Sequence, residues 1–249
     1  METIQLDMKG PVAWVWLDQP RRLNAINQTT LAELRQTFEA LDGDDEVAAV
    51  ILAARGLAFS AGFDVAWMAG QDAGTVGRGL PDVEAVYDAI EACAKPVIAA
   101  VQGAAMGGGL LLILVADFCL ASEEASFGAP EVKIGIFPNL RLIPRLERIV
   151  GLRAAKRMVL IGDPVSATEA QAMGLVDRVL PSGKLHAEAQ ALAEQLAALP
   201  PMAVQTAKAA FSAARGPKYP AWERIMFTAC WEQPERQAAM QAFLQARKR

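Results

Sequence analysis

The sequence feature that most constrains the fold is a run of three consecutive glycines, Gly107 to Gly109, between two apolar segments. Residues 96–101 before it are β-like, and residues 110–115 after it are strongly apolar. Consecutive glycines leave backbone N–H groups uncovered by side chains and free to take unusual φ values. If the second segment is a helix, its first N–H groups lack an intrahelical partner. The pattern fits an oxyanion hole, and it also fits a tight turn packed against a neighbouring element.

Two further segments have features that are typical of an active site. Residues 58–64 follow an apolar strand-like run at 48–54 and form a second glycine-containing corner, which opens a predicted helix at 64–69. Residues 126–138 hold a lone carboxylate, Glu131, after a Gly-x-Pro corner inside an apolar stretch. A carboxylate in such surroundings is a candidate acid or base.

In this order and at these separations, the three segments resemble those of the crotonase family, also called the enoyl-CoA hydratase/isomerase family. Further segments that are similar to family segments lie at residues 17–26, 95–103, 160–163 and 170–176. The resemblance implies an α/β fold with a crotonase-like core, a superhelix of ββα units, and a C-terminal helical trimerisation region. We therefore expect the core with its acyl-CoA site at residues 1–195 and the helical region at 196–249.

The pattern of apolar runs and turn residues agrees with an α/β chain. Strands are predicted at residues 12–17, 48–54, 96–101 and 115–121. Helices are predicted at residues 30–41, 82–92, 140–149, 152–160, 167–173, 184–199, 202–214, 219–231 and 235–248. Strands separated by helices pair mostly in parallel. Residues 71–81 are rich in glycine, which predicts a mobile segment that orders over substrate.

Composition limits the partners. The chain is 53% hydrophobic and 21% charged, which supports a full core. A net charge of -4 without a basic block gives no reason to expect nucleic acid. Residues 96–116 are uncharged and long enough for a bilayer, yet Gln102 and the central glycines favour a buried strand, loop and helix over a membrane span. The start of the chain lacks the pattern of a signal peptide, so we expect a cytoplasmic protein.

The cysteines and the histidine exclude other kinds of site. Cys93, Cys119 and Cys230 are scattered without metal-ligand spacing, which predicts reduced thiols and no metal site. His186 is the only histidine, and it lies outside every segment described above. A Ser-His-Asp hydrolase would therefore lack its base.

The resemblance implies acyl-CoA thioesters as substrates, with coenzyme A as part of the substrate and no separate cofactor. By position in the family motifs, the oxyanion donors are the backbone N–H groups of Phe63 and Gly108, and the base is Glu131. Burial of this carboxylate beside Phe127, Ile136 and Phe137 would raise its pKa. A structural alternative is an ion pair of Glu131 with Lys133, Arg141 or Arg145.

One departure from the family pattern decides which reaction we expect. The resemblance implies that family hydratases hold water between two glutamates. The second of these matches Glu131. The first matches Leu111, whose side chain cannot donate or accept a proton. Asp117 matches a separate family position and is expected to be structural. One carboxylate suffices to move a proton between the α and γ carbons of an enoyl chain, so the sequence favours isomerisation. The alternatives are a hydratase that uses Glu131 alone and an inactive acyl-CoA-binding pseudoenzyme.

The remaining assignments concern binding and assembly. By resemblance, Arg22 lies near the CoA phosphates and the corner from Ala61 to Val65 lies near the adenine. The other residues assigned to substrate binding are Gly62, Asp64, Gly107, Leu111 and Asn139. Asn139 is expected either to hydrogen-bond the substrate or to cap the helix at 140–149. Lys248 and Arg249 are expected to be solvated, and the protein is expected to be a homotrimer or a dimer of trimers.

Overall fold

The computed structural model describes residues 1–213 of the 249-residue chain. Its nine strands are β1 Ile4–Lys9, β2 Val12–Leu17, β3 Ala49–Ala54, β4 Val97–Val101, β5 Ala104–Met106, β6 Phe118–Ser122, β7 Ser126–Gly128, β8 Val165–Ser166 and β9 Arg178–Leu180. Its eight α-helices are α1 Gln28–Asp42, α2 Val65–Ala69, α3 Ala73–Ala92, α4 Gly108–Leu114, α5 Leu142–Ile161, α6 Ala167–Ala172, α7 Leu185–Ala197 and α8 Pro201–Ala213. Three short 3-10 helices are Pro20–Arg22, Pro130–Ile134 and Ser182–Lys184.

Two sheets organise these elements. The larger sheet has six strands in the order β1-β2-β3-β4-β6-β9, and the smaller sheet has three in the order β5-β7-β8. In the larger sheet β1 pairs antiparallel with β2, and every other pair is parallel. Parallel neighbours need crossover connections, which the intervening helices supply. The predicted α/β architecture is confirmed.

Both faces of the larger sheet are covered, as β2 shows. Ala13 and Val15 face the main core, to which α1, α3 and α4 contribute. Trp14 and Trp16 face a second core together with residues of α7. A strand buried on both sides is a continuous apolar run, which explains why the strands were recognisable in the sequence.

Two predicted elements differ from the structure. The strand predicted at 115–121 begins only at Phe118, because the preceding apolar run forms the buried helix α4 and Val115 closes it. Residues 71–81, for which no regular element was predicted, are helical from Ala73 onward, where helix α3 begins. The Asp72 side chain accepts hydrogen bonds from two N–H groups of the first turn of α3, and this cap offsets the poor helix propensity of the glycines.

Helix α5 contains a break that separates the two helices predicted there. Gly151 has φ 76° and ψ 161°, which is not helical, so the element is two helical segments joined at this glycine. The first begins at Leu142 rather than at residue 140, because Leu140 and Arg141 both have positive φ values. The predicted cap by Asn139 is wrong: Arg141 occupies the cap position without a side-chain hydrogen bond.

Some predictions lie outside the described residues. These are the helices at 219–231 and 235–248, Cys230, Lys248 and Arg249, together with most of the predicted region 196–249. Cys93 and Cys119 are free and buried. No helix within residues 1–213 has the length and apolarity needed to cross a membrane. The same residues contain no cluster of three or more His, Cys, Asp or Glu side chains suited to a metal ion.

Candidate active site

The two glycine-containing corners lie against each other. A parallel bridge joins Ser60 to Ala105, with the N–H of Met106 donating to the carbonyl of Ser60 at 3.0 Å. Gly62 has φ +90°, and a Cβ on it would lie 2.6 Å from the carbonyl oxygen of Met106 and 3.4 Å from the nitrogen of Gly108. Only glycine permits this approach. The fold therefore places the corner at Phe63 beside the corner at Gly108, as the resemblance implied.

The N–H of Phe63 is left free by its local pairing. A parallel bridge joins Phe63 to Ile26 through its neighbours: the N–H of Ile26 donates to Gly62 at 2.8 Å and the N–H of Asp64 donates to Ile26 at 2.9 Å. Backbone groups alternate in direction along an extended segment, so the N–H of Phe63 points away from Ile26. It donates no hydrogen bond to any residue in the described part of the chain.

The N–H of Gly108 is the second free donor. Gly107 precedes helix α4 with φ 51° and ψ -113°, a conformation open to glycine, and its own N–H donates to Gly128 at 2.9 Å. Gly108 is the first helical residue, so its N–H has no intrahelical acceptor. Within residues 1–213 it donates to no other group. Two neighbouring N–H groups without acceptors are the arrangement needed to stabilise an oxyanion.

Buried hydrogen bonds hold this pair of corners in place. The Ser60 hydroxyl donates to the carbonyl of Asn24 at 2.8 Å and accepts from the N–H of Gly62 at 3.2 Å. The Asn24 amide donates to the carbonyls of Arg55 and Ala58. A Cβ on Gly109 would lie 2.7 Å from the Cβ of Ser60, so this third glycine allows Ser60 to approach. The donors are therefore supported by residues that do not face the site themselves.

The carboxylate of Glu131 lies against the same glycines. Glu131 is on the 3-10 helix Pro130–Ile134, and its Oε1 is 3.0 Å from the position that a Cβ on Gly107 would occupy. Its Oε2 is buried and has no hydrogen-bond partner in the described residues. Burial raises the pKa of this carboxyl above its ordinary value, and its own backbone N–H offsets that only in part. A buried, unpaired carboxyl with a raised pKa is suited to act as a general base.

The structural alternative for Glu131 is contradicted by the pairing of the three cations. Lys133 pairs with Asp163, Arg141 with Glu84 and Asp88, and Arg145 with Asp88 and Glu91. The carboxylate of Glu131 takes part in none of these pairs. Phe137 is 71% exposed and Ile136 is 39% exposed, and the raised pKa of Glu131 agrees with the predicted effect of burial. Only Phe127, among the three predicted neighbours, is buried.

Leu111 and Asp117 are the two residues that bear on whether a second acid is present in the site. Leu111 is 1% exposed and belongs to the main core, so no proton-transfer group replaces the family's first glutamate at this position. Asp117 accepts a hydrogen bond from the N–H of Val97 at 2.7 Å and pairs with Lys208 at 2.6 Å. These contacts fix Asp117 in a structural role and confirm that expectation.

The predicted CoA-binding residues fall into two groups. Arg22 and Asp64 meet at 3.4 Å beside the Phe63 corner, and Asp64 also caps helix α2 through two backbone N–H groups. Ala61 and Val65, in the same corner, are exposed. Asn139 is exposed as well, and its carbonyl accepts the N–H of Leu142 at 3.0 Å. The structure thus brings Arg22 to the corner, whereas no contact ties the side chain of Asn139 to Glu131.

Sequence reasoning missed Tyr87. It is fully buried on helix α3, and its hydroxyl donates to the carbonyl of Gly108 at 3.3 Å. Its ring contacts that of Phe63 edge to face, with 6.4 Å between ring centroids. A lone tyrosine on the apolar side of a predicted helix was the available signal, and it becomes informative only once α3 is seen to cross the glycine corner.

A cavity of about 290 Å³ lies elsewhere in the molecule. It is lined by the segments that precede β3 and β4 and by residues of α7 and α8, among them Lys95, Leu196 and Val204. None of the predicted site residues lines it. The candidate site is therefore defined by its free donors and its unpaired carboxyl and not by this cavity.

Known proteins share both the sequence and the fold. Residues 7–249 match the family model described as enoyl-CoA hydratase/isomerase. A probable enoyl-CoA hydratase from Rhizobium meliloti is 36% identical over 253 residues, covering 99% of this chain and 96% of that protein. The 2,3-dehydroadipyl-CoA hydratase of Escherichia coli is also 36% identical, over 251 residues, covering 99% of this chain and 97% of that protein.

Solved structures agree with these relatives. The crystal structure of an enoyl-CoA hydratase from Bacillus anthracis superposes with a TM-score of 0.93 at 30% identity, covering 98% of this chain and 96% of that one. One from Geobacillus kaustophilus gives 0.92 at 34% identity, covering 98% and 95%. The predicted family and fold are confirmed: the chain belongs to the enoyl-CoA hydratase/isomerase family of enzymes.

Proposed function

We propose that the protein moves the double bond of an enoyl-CoA thioester between the β,γ and the α,β positions, with Glu131 as the only proton carrier. The observation that carries this proposal is the single buried carboxyl against Gly107, with Leu111 where family hydratases place a second acid. An acid and a base acting together on water need two such groups. A proton shuttle needs one.

Acyl-CoA is the substrate class that relatives support. Proteins that resemble this chain along almost its whole length are named as hydratases of enoyl-CoA or of 2,3-dehydroadipyl-CoA. Arg22 beside the Phe63 corner supplies an exposed cation of the kind that binds phosphate. The free N–H groups of Phe63 and Gly108 would receive the thioester oxygen.

In the proposed reaction, the proton that Glu131 removes from the substrate is returned to it. The carboxylate of Glu131 takes a proton from the α carbon of a β,γ-enoyl thioester, and the electrons of that C–H bond move toward the carbonyl oxygen. The resulting dienolate oxygen accepts hydrogen bonds from Phe63 and Gly108, each worth about 2.7–4 kcal/mol to the transition state. The carboxylic acid then returns its proton to the γ carbon, which restores the carboxylate and leaves the double bond at the α,β position.

The raised pKa of Glu131 sets the pH dependence. Only the ionised carboxyl removes the first proton, so activity falls as pH falls through its pKa in the enzyme. Since burial places this pKa above about 4.3, the ordinary value for glutamate, we expect the acidic limb of the rate profile above the normal carboxyl range. A pH series of kcat/KM measures it.

Hydration of α,β-enoyl-CoA is the second candidate. The names of the relatives favour it, since they are hydratases. It would require Glu131 both to activate water and to protonate the α carbon, or a second proton donor supplied by the substrate or by residues outside 1–213. An acyl-CoA-binding protein without turnover is the third candidate, and Leu111 is the observation in its favour.

Product analysis separates the three candidates. The protein is incubated with a β,γ-enoyl-CoA and, separately, with the corresponding α,β-enoyl-CoA, and products are identified by mass and by chromatography against standards. A shifted double bond without gain of mass is the expected result. Gain of one water from the α,β substrate would replace isomerisation by hydration. No product from either thioester, with binding retained, would support the inactive protein.

Assembly is a separate proposal. The family resemblance predicts a homotrimer or a dimer of trimers, with the helical region as the contact. Light scattering of the full chain during gel filtration gives the molar mass directly. A mass of three or six chains agrees with the prediction, and a monomer contradicts it.

A further inference from the structure

Tyr87 makes contact with both residues that carry the proposed oxyanion donors. Its hydroxyl donates to the carbonyl of Gly108, and its ring meets the ring of Phe63 at 6.4 Å with an angle of 74°. Both contacts are buried, since Tyr87 has no exposed surface. In the described part of the chain, no other side chain makes a hydrogen bond or ring contact to both of these residues.

The side chains of Phe63 and Tyr87 pack closely against the backbone of Gly108. A Cβ on Gly108 would lie 2.9 Å from Cε2 of Phe63 and 3.1 Å from the hydroxyl oxygen of Tyr87. The space beside Gly108 is therefore filled by these two aromatic side chains. Because glycine has the widest choice of backbone angles, its N–H direction is set by such contacts rather than by its own residue type.

We propose that Tyr87 is a positioning residue for the oxyanion site: its hydroxyl fixes Gly108 and its ring fixes Phe63, so that the two N–H donors keep the spacing that one thioester oxygen requires. This inference rests on the proposed function, because it assigns a role at the same site. Donors of this kind act at 2.7–3.1 Å from the oxyanion, so small displacements weaken them.

Burial favours the neutral form of the Tyr87 hydroxyl. It raises the pKa of this group well above its ordinary value, Arg145 opposes that effect, and Glu131 adds to it. The protonated hydroxyl is the form that donates to the carbonyl of Gly108, as the positioning role requires.

Helix α3 is itself held firmly around Tyr87. The next residue, Asp88, pairs with Arg145 at 2.9 Å, and Glu91, one turn on, pairs with the same guanidinium. The guanidinium also donates to the carbonyl of Leu140 at 2.8 Å. These bonds join α3 to the start of α5, so Tyr87 projects from a rigid support, as a positioning role requires.

The test is Tyr87→Phe, which retains the ring and removes the hydroxyl. We expect kcat to fall about tenfold with KM changed by less than about twofold, because the loss affects the transition state more than substrate binding. The acidic limb of the pH profile should remain where it is in the unaltered enzyme, since the hydroxyl does not titrate. Thr37→Val is the matched control, because it removes a buried hydroxyl on α1 whose one side-chain hydrogen bond within residues 1–213 is to Met1.

A spectroscopic readout keeps the inference separate from the reaction. The carbonyl stretching frequency of a bound, unreactive acyl-CoA thioester reports the strength of the oxyanion donors directly. In the unaltered protein it should move to lower frequency on binding, and Tyr87→Phe should lose part of that shift while Thr37→Val keeps all of it. An equal shift and equal kcat in Tyr87→Phe would overturn the role of Tyr87. Absence of any shift in the unaltered protein would overturn the proposed oxyanion site itself.

Discussion

Arg145 is buried and Glu131 is partly buried, and the two ionisable side chains differ in their partners. The side chain of Arg145 is 5% exposed and is bound by Asp88, Glu91 and the carbonyl of Leu140. Glu131 has one buried oxygen without a partner in the described residues and is in no ion pair there. Burying a charge without a partner costs several kcal/mol, whereas a paired charge is tolerated.

The difference distinguishes a charged residue that stabilises the fold from one that is a candidate for catalysis. Arg145 connects α3 to α5 and has the partners that a buried cation needs. Glu131 has no such partner in the described residues. The cations nearest to it in the sequence, Lys133, Arg141 and Arg145, each pair with other carboxylates. A carboxyl kept unpaired destabilises the fold and is retained where its reactivity is used. The predictions below test this contrast.

The largest effect is expected for Glu131→Gln. The amide fills the same space and cannot carry the proton, so turnover should fall by about 10²–10⁴-fold. Because the raised pKa means that the ionised carboxyl destabilises the folded state above pH of about 4.3, the variant should be at least as stable as the unaltered protein at pH 8. Steady-state kinetics and thermal unfolding measure both.

Glu123→Gln is the matched control for that variant. Glu123 is exposed, and among the described residues its one hydrogen bond is from its backbone N–H to the carbonyl of Leu180. It should leave turnover and stability unchanged. Undiminished turnover in Glu131→Gln would show that another group is the base.

The main effect of Arg145→Met should be on stability. The substitution leaves Asp88 and Glu91 without their buried partner, and we expect a loss of about 2–4 kcal/mol in the free energy of unfolding, less than for a fully buried pair since both carboxylates are partly exposed. Arg35→Met removes an exposed pair with Glu39 and should leave the free energy of unfolding nearly unchanged. Urea titration compares them, and equal small losses would remove the contrast with Glu131.

Gly108→Ala should weaken the oxyanion site by steric conflict. The added Cβ meets the Phe63 ring and the Tyr87 hydroxyl at about 3 Å, so either the rings or the backbone must move. We expect turnover to fall by roughly 10–100-fold and stability by about 1–3 kcal/mol. Gly77→Ala on α3 meets nothing within 4 Å and should be neutral or slightly stabilising. Full activity in Gly108→Ala would contradict the geometry.

The smallest effect is expected from His186, far from the site. Its ring meets those of Trp14 and Trp16 edge to face at 5.6 and 5.2 Å. Partial burial lowers its pKa, and the nearby cations Arg55 and Lys9 lower it further. The neutral ring is therefore favoured in the fold, and stability should decrease as pH falls below about 6.5, the ordinary value.

His186→Gln tests this pH dependence. It should flatten the loss of stability between pH 7 and 5, measured by thermal unfolding across that range. The change should be modest, because much of the His186 side chain remains exposed to solvent. An unchanged pH profile in the variant would show that another group titrates.

The sequence was sufficient for the parts of the molecule that follow from local pattern. The strand Val12–Leu17 is a buried apolar run, and the glycines at 62 and 107–109 are needed wherever two backbones meet closely. The family resemblance that these segments carry then implied which residues are the donors and the base. Leu111 was also visible as a departure, and its burial in the core agrees with the absence of an acid there.

Contacts between residues far apart in the chain could not be predicted from the sequence. Whether Glu131 pairs with a nearby arginine depends on where α3 places Asp88 and Glu91, which no local pattern reveals. The helix through Gly74 to Pro81 was not predicted because its residues have low helix propensity, which the Asp72 cap offsets in the fold. Tyr87 reaches Gly108 from another helix, so its role appears only in three dimensions.

The most direct test of the account follows a single proton. A β,γ-enoyl-CoA labelled with deuterium at the α carbon is converted in ordinary water, and the α,β product of the first turnovers is analysed for label at the γ carbon. If Glu131 is the only proton carrier, part of the deuterium is transferred within the same molecule to the γ carbon, and Glu131→Gln abolishes the conversion. A γ carbon that carries only solvent hydrogen from the first turnover, or conversion that persists in Glu131→Gln, would contradict the account.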